Sequence, residues 1–180
     1  MRHIQKPIVG EYPAYSHIYM DLMGDDGKVL EHLWSNFLKI REFVYSLPEE
    51  KLKYRYAKDK WTIKEILVHL IDDERIFAYR ALRYARKDNT PLHGFDQDKY
   101  AKFSGANERS LESIFEEYEF VRKSTIALFK YLPEESFERS GKGIDYDGSI
   151  INKRTVRGLA YHIAGHELRH FNIIKERYVK

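Results

Sequence analysis

Four stretches of this chain carry apolar residues at alternating steps of three and four, a spacing that selects amphipathic helices and leaves little room for strands. The first runs from about Asp26 to Leu47, with Leu30, Leu33, Phe37, Ile40, Val44 and Leu47 on one face; Pro48 ends it. The second runs from Thr62 to about Lys87. Thr62 and Glu65 form a capping-box pattern, Trp61 and Ile66 a candidate staple, and the seam reads Ile63, Leu67, Leu70, Glu74, Phe77, Ala81 and Tyr84. The third runs from about Glu108 to Leu132 through Leu111, Ile114, Tyr118, Val121, Thr125 and Leu128. The fourth runs from about Arg154 to Arg177, with Thr155 as its N-cap.

Three connections remain. Glu49 to Lys60 is polar, Asp88 to Gly105 is long, and Pro133 to Lys153 is longer and rich in glycine. Two long connections suit an all-α four-helix bundle in which some neighbouring helices run parallel. Lys142 to Ile151 has room for a short hairpin. A chain of 180 residues fits a single domain, with residues 1–24 as an N-terminal extension.

There is no cysteine, so disulfides, thiolate metal sites and cysteine nucleophiles are all excluded. A net charge of +3 spread along the chain makes no basic stripe, and no nucleic-acid partner is expected. No apolar run reaches the length of a membrane span, no membrane partner is expected, and Met1 to Pro7 lacks the apolar core of a signal peptide. The expected compartment is the cytoplasm.

The fourth helix holds the chemistry. Its seam reads Val156, Leu159, Ile163, His166, His170 and Ile173, so two histidines stand where apolar side chains belong. Residues four apart lie on one helical face, and two imidazoles so placed converge on one ion. His69, between Leu67 and Leu70 of the second helix, is the candidate third ligand. Three histidines leave coordination positions open, the arrangement of a catalytic site. Hydrogen-bonded core histidines are the bland alternative. A second apolar stripe, Ala160, Ile163, Glu167, Phe171, Ile174 and Tyr178, competes for the core, and His162 competes as a ligand. His-Glu-x-x-x-His differs from the zinc-protease motif by one residue, so no protease is inferred. Glu74, the one charge in the second seam, is a candidate proton acceptor or orienter of a histidine, and Asp73 a candidate orienter.

Lys60 to Arg83, Gly94 to Asp98 and Ala164 to His170 together resemble, in order and spacing, the second helix, following loop and last-helix metal motif of the DinB superfamily (DNA-damage-inducible and YfiT-like proteins). The resemblance implies a four-helix bundle holding one divalent transition metal, zinc or nickel, on His69, His166 and His170. Arg169 stands where close relatives often carry a further, non-ligand histidine. The resemblance also implies a homodimer, with which the extra stripe on the fourth helix is compatible. It implies a small-molecule substrate and an enzyme of the thiol (bacillithiol-type) S-transferase class, with a low-molecular-weight thiol as co-substrate. By charge alone, Arg80, Arg83 and Arg169 are candidates to hold the carboxylates of such a thiol. A hydrolase using metal-activated water, with Glu74 or Glu167 shuttling the proton, is the alternative. A metal-stabilised stress or binding protein without turnover is the third.

Overall fold

In the computed structural model, which describes residues 1–88, 90–144 and 147–179, the chain forms α1 (His17–Met20), α2 (Val29–Tyr45), α3 (Glu49–Leu52), α4 (Ile63–Ala85), β1 (Leu92–His93), α5 (Gln97–Phe103), α6 (Leu111–Tyr131), β2 (Ser140–Ile144), β3 (Ile150–Thr155) and α7 (Val156–Arg177). The four long helices are the four expected from periodicity, each shorter by a few residues at its ends. Two caps were legible. Thr62 and Glu65 exchange both bonds of a capping box at the start of α4, and the Thr155 hydroxyl accepts from the Gly158 N–H at the start of α7.

Every residue named in the α4 seam is buried, Glu74 included. α4 packs chiefly on α6 and α7, and α2 packs on those same two helices. α2 and α4 therefore stand at opposite corners of the bundle. Two apolar clusters fill it. One gathers Leu30 and Leu33 from α2, Phe77 and Ala81 from α4, Phe129 from α6 and Leu159 from α7. The other gathers Phe37 and Ile40, Leu67 and Leu70, Ile114 and Phe115, and Ile174. Read from one cluster to the other, α2 and α7 run one way and α4 and α6 the other. Parallel neighbours of this kind are what the long connections permit.

Between the clusters lies a polar layer to which all four long helices contribute. Arg122 of α6 is fully buried. Its guanidinium donates to both oxygens of Glu74 on α4 (3.0 and 2.8 Å) and both oxygens of Glu167 on α7 (3.1 and 2.6 Å), and to the Leu33 carbonyl of α2. The Tyr118 hydroxyl donates to Glu167 at 2.8 Å. Two carboxylates around one guanidinium hold its pKa well above the usual value against the effect of burial.

Two features lie outside the four-helix expectation. The long connections carry structure: β1, β2 and β3 form a small sheet in that order, β1 parallel and β3 antiparallel to β2. The hairpin expected near Lys142 is longer than read, and residues 145 and 146 lie outside the described residues. Residues 1–24 are also more than an appendage. Ile4, Met20 and Met23 are buried in the first cluster. The Tyr161 hydroxyl donates to the Ile4 carbonyl at 2.8 Å, and Arg157 donates to both carboxylate oxygens of Glu11 at 3.0 Å. This segment lies along α7 where α7 has no side chain: a Cβ on Gly158 would stand 2.9 Å from the Glu11 carbonyl oxygen, and one on Gly165 would collide with the backbone of Tyr19. α7 is thereby buried continuously from Val156 to Glu167. Its second apolar stripe is used within the chain, with Ala160, Ile163, Ile174 and Tyr178 all in the core. That stripe no longer offers a surface for the homodimer expected from the sequence.

Candidate metal centre

His69 of α4 and His166 and His170 of α7 meet inside the bundle. His166 Nε2 stands 3.2 Å from His69 Nε2 and 3.1 Å from His170 Nε2. One nitrogen from each ring lies within 4.8 Å of the other two. Two nitrogens each about 2.0–2.1 Å from one tetrahedral ion stand roughly 3.3–3.4 Å apart. The two separations at His166 are within a few tenths of an ångström of that spacing, and neutral nitrogen is a donor that zinc-type ions accept. The residues present therefore fit a divalent metal.

The three rings have different neighbours. Asp73, one helical turn from His69 on α4, brings Oδ2 within 3.2 Å of His166 Nδ1. The approach is off the N–H axis, so Oδ2 gains charge complementarity without a well-formed hydrogen bond. The charge of this carboxylate favours a proton on Nδ1, which leaves Nε2 as the free lone pair. Trp61 covers the other two rings, tilted on His69 at 4.6 Å and stacked over His170 at 6.1 Å. Tyr19 meets His166 edge-on at 5.3 Å.

Burial sets the charge state. It pushes His69 down to about 3, helped by His166 and opposed by Asp73. His170 is lowered well below the ordinary imidazole value, first by burial and then by His166 and His69. Both are neutral near pH 7 and keep a bare nitrogen for a cation. Burial alone would raise Asp73, but the neighbouring His166, His162 and His69 hold it well below the usual carboxylate range.

His166 and Asp73 open onto a cavity of about 480 Å³, bounded by Tyr15 and Tyr19 from the N-terminal segment, Arg80 from α4, Arg154 from β3 and the turn from Gly94 into α5. His170 and Trp61 face a second recess of about 290 Å³. Gln97 and Asp98 border both, so the first turn of α5 stands between them. Asp98 accepts from the Trp61 indole at 3.1 Å, which ties that turn to the histidines' cover.

The other sequence candidates fall elsewhere. His162 is buried, stacked on Phe77 at 4.0 Å with its Nε2 4.0 Å from Asp73; it lines the cavity but is outside the trio. Glu74 and Glu167 both belong to the Arg122 layer, and the bonds that hold Glu74 run to Arg122. Of the three arginines expected to hold a ligand, Arg80 lines the cavity, Arg83 is turned to Asp88, and Arg169 is exposed. Arg154, Tyr15 and Tyr19 line the site without having been singled out. The glycines seven apart on α7, Gly158 and Gly165, were the available signal for a segment lying on that helix.

Residues 30–174 match the family model of the DinB superfamily. The chain belongs to the DinB superfamily. A relative from Oceanobacillus iheyensis bearing the name "Putative metal-dependent hydrolase OB0413" is 31% identical over 136 residues, covering 75% of this chain and 76% of its own. YfiT from Bacillus subtilis, described as "a probable metal-dependent hydrolase with an unusual four-helix bundle topology", superposes with a TM-score of 0.71 at 18% identity, over 84% of this chain and 85% of that one. That likeness shows the fold, a four-helix bundle. Residues 1–29 precede the matched region, yet they supply two tyrosines of the cavity wall.

Proposed function

We propose that this DinB protein is a metal-dependent enzyme acting on a small molecule, with His69, His166 and His170 as the ligands of one divalent transition ion and a low-molecular-weight thiol as co-substrate. The observation that carries the reading is the convergence of three imidazole nitrogens, His166 Nε2 standing 3.1–3.2 Å from the other two, with His166 on the wall of a polar cavity. A zinc- or nickel-type ion held there supplies Lewis acidity, which favours the nucleophilic form of a thiol or of water. The chain does the rest. Asp73 orients His166, Trp61 shields His69 and His170 from solvent, and Tyr19 closes the side next to His166. The thiol must come from outside, because the chain has no cysteine. The cavity, with Arg80 and Arg154 in its wall, suits a co-substrate that carries carboxylates.

Elemental analysis of the purified protein tests the ligand set. About one equivalent of metal is expected in the wild type, with loss in His69→Ala, His166→Ala and His170→Ala. Retention of full metal content in all three variants sinks the reading. Hydrolysis is the second reading, supported by the hydrolase name of the Oceanobacillus relative. Turnover of an electrophilic substrate only when a thiol is added favours transfer; turnover with water alone favours hydrolysis. In the second case a proton acceptor is required, and Asp73 on the cavity wall is better placed than Glu74, whose oxygens are held by Arg122. A family homodimer remains part of the proposal, to be read from the mass in solution.

A further inference from the structure

Four arginines of this protein are buried: Arg80, Arg122, Arg154 and Arg157. Two have carboxylate partners in the fold, Arg122 with Glu74 and Glu167, and Arg157 with Glu11. Arg80 and Arg154, each 3% exposed, have none among the described residues. Both line the 480 Å³ cavity beside His166. We propose that Arg80 and Arg154 together form a receptor for an oxyanion, a carboxylate or phosphate group carried by the molecule that reacts at the histidine centre. The inference rests on the metal-dependent reading for its purpose but not for its test.

Arg154 has unspent donors. Nη2 donates to the Tyr15 hydroxyl, while Nε and Nη1, both buried, have no partner. Arg80 spends one bond, from Nη2 to the His93 carbonyl at 3.0 Å. The two guanidiniums sense each other: burial and then the charge of Arg154 lower the pKa of Arg80, and Asp73 only partly opposes them. Both also rest near one ring, Phe77, at 4.8 Å for Arg80 and 5.5 Å for Arg154. An aromatic face eases a buried cation but does not satisfy its N–H groups. Two like charges out of water in the wall of a cavity, one of them with unpartnered donors, are an arrangement that a negative ligand completes. No nearby acid pairs with either guanidinium among the described residues. Asp73 sits against His166, Asp96 caps α5 through the Lys99 N–H, and Asp98 accepts from Trp61. Guanidinium forks match the planar or tetrahedral oxygens of carboxylate and phosphate, which also gives the bound molecule a fixed orientation.

The test uses the full chain, metal-loaded and chelator-treated, titrated with inorganic phosphate and with malonate against sodium chloride of equal ionic strength. Saturable binding of at least one of the two is expected in both forms of the wild type. Arg154→Gln and Arg80→Gln are each expected to weaken it at least tenfold, Arg154→Lys to keep part of it, and Arg83→Gln to leave it unchanged. His170→Ala is expected to bind the anion normally even if it has lost the metal, which separates this subsite from the ligand set. Equal binding by wild type and both glutamine variants overturns the proposal. So does binding confined to the metal-loaded form and lost in His170→Ala, which assigns the anion to the ion itself. Should a glutamine variant fail to fold, the wild type alone decides. A melting midpoint that rises with phosphate or malonate no more than with chloride refutes the receptor.

Discussion

Asp73 illustrates how much a single side chain near this centre is asked to do. Its carboxylate faces His166 at 3.2 Å and lies within reach of His162, and it holds its charge against complete burial because those imidazoles surround it. Outer partners of metal-binding histidines typically control affinity by about 10–100-fold. Asp73→Asn is therefore expected to weaken metal binding by roughly that factor in a competition against a chelating dye, with the helical circular dichroism unchanged. The histidines also set a pH dependence. His69 titrates at about 3 in the fold, and His170 and His162 are lowered well below 6.5, all three first because of burial. The unfolded chain takes up protons on these rings near 6.5 and the folded chain does not. Stability of the metal-free protein is thus full above about pH 6.5 and lost progressively towards pH 3, each ring contributing up to about 1.4 kcal/mol per pH unit. Urea midpoints at pH 7.5, 6 and 5 check the sign. At this scale the sequence was informative about the trio, because histidines on an apolar seam stand out from their neighbours. It was less informative about Glu74. An acid in a seam signals a buried polar contact, but only the fold reveals that its partner is Arg122, a residue outside the periodic apolar positions of α6.

Among the elements, α7 is the one on which the others depend. Its lack of side chains at Gly158 and Gly165 lets the N-terminal segment lie close, and this contact brings Tyr19 over His166. Gly165→Ala puts a methyl group into the Tyr19 backbone, and overpacking of that kind typically costs about 1–3 kcal/mol. A lower melting temperature and weaker protection of the Tyr19 to Asp21 amides from hydrogen exchange are the expected outcomes; an unchanged melting temperature contradicts the packing. Helix positions were legible because seam periodicity and caps act locally. The extra elements were not. β1 is two residues long and pairs with β2 across a wide gap in sequence, and α5 is a short helix whose N-cap, Asp96, sits inside a glycine-containing turn. Neither leaves a periodic trace. The opening segment gave no repeat because only scattered residues, Ile4, Met20 and Met23, reach the core.

Taken whole, the bundle is two apolar halves joined at a charged waist. Arg122 holds one acid from each of two other helices, so its removal strands Glu74 and Glu167 together in the interior. Arg122→Leu is expected to destabilise the protein by about 3–5 kcal/mol in chemical denaturation, and adding Glu74→Gln and Glu167→Gln to recover part of the loss. No recovery in the triple variant would mean that the guanidinium acts through packing rather than charge.

The N-terminal segment and the last helix, which sit at opposite ends of the sequence, build one wall together, and this bears on synthesis. While the ribosome is still making the middle of the chain, Ile4, Met20 and Met23 have no helix to lie on and stay wet, and Tyr15 and Tyr19 enclose nothing. Domains that must wait for their final residues are open to chaperones and proteases for that interval. On the proposed ligand set, a nascent chain halted before His166 lacks two of the three histidines, so metal loading would have to wait for the last helix of the bundle.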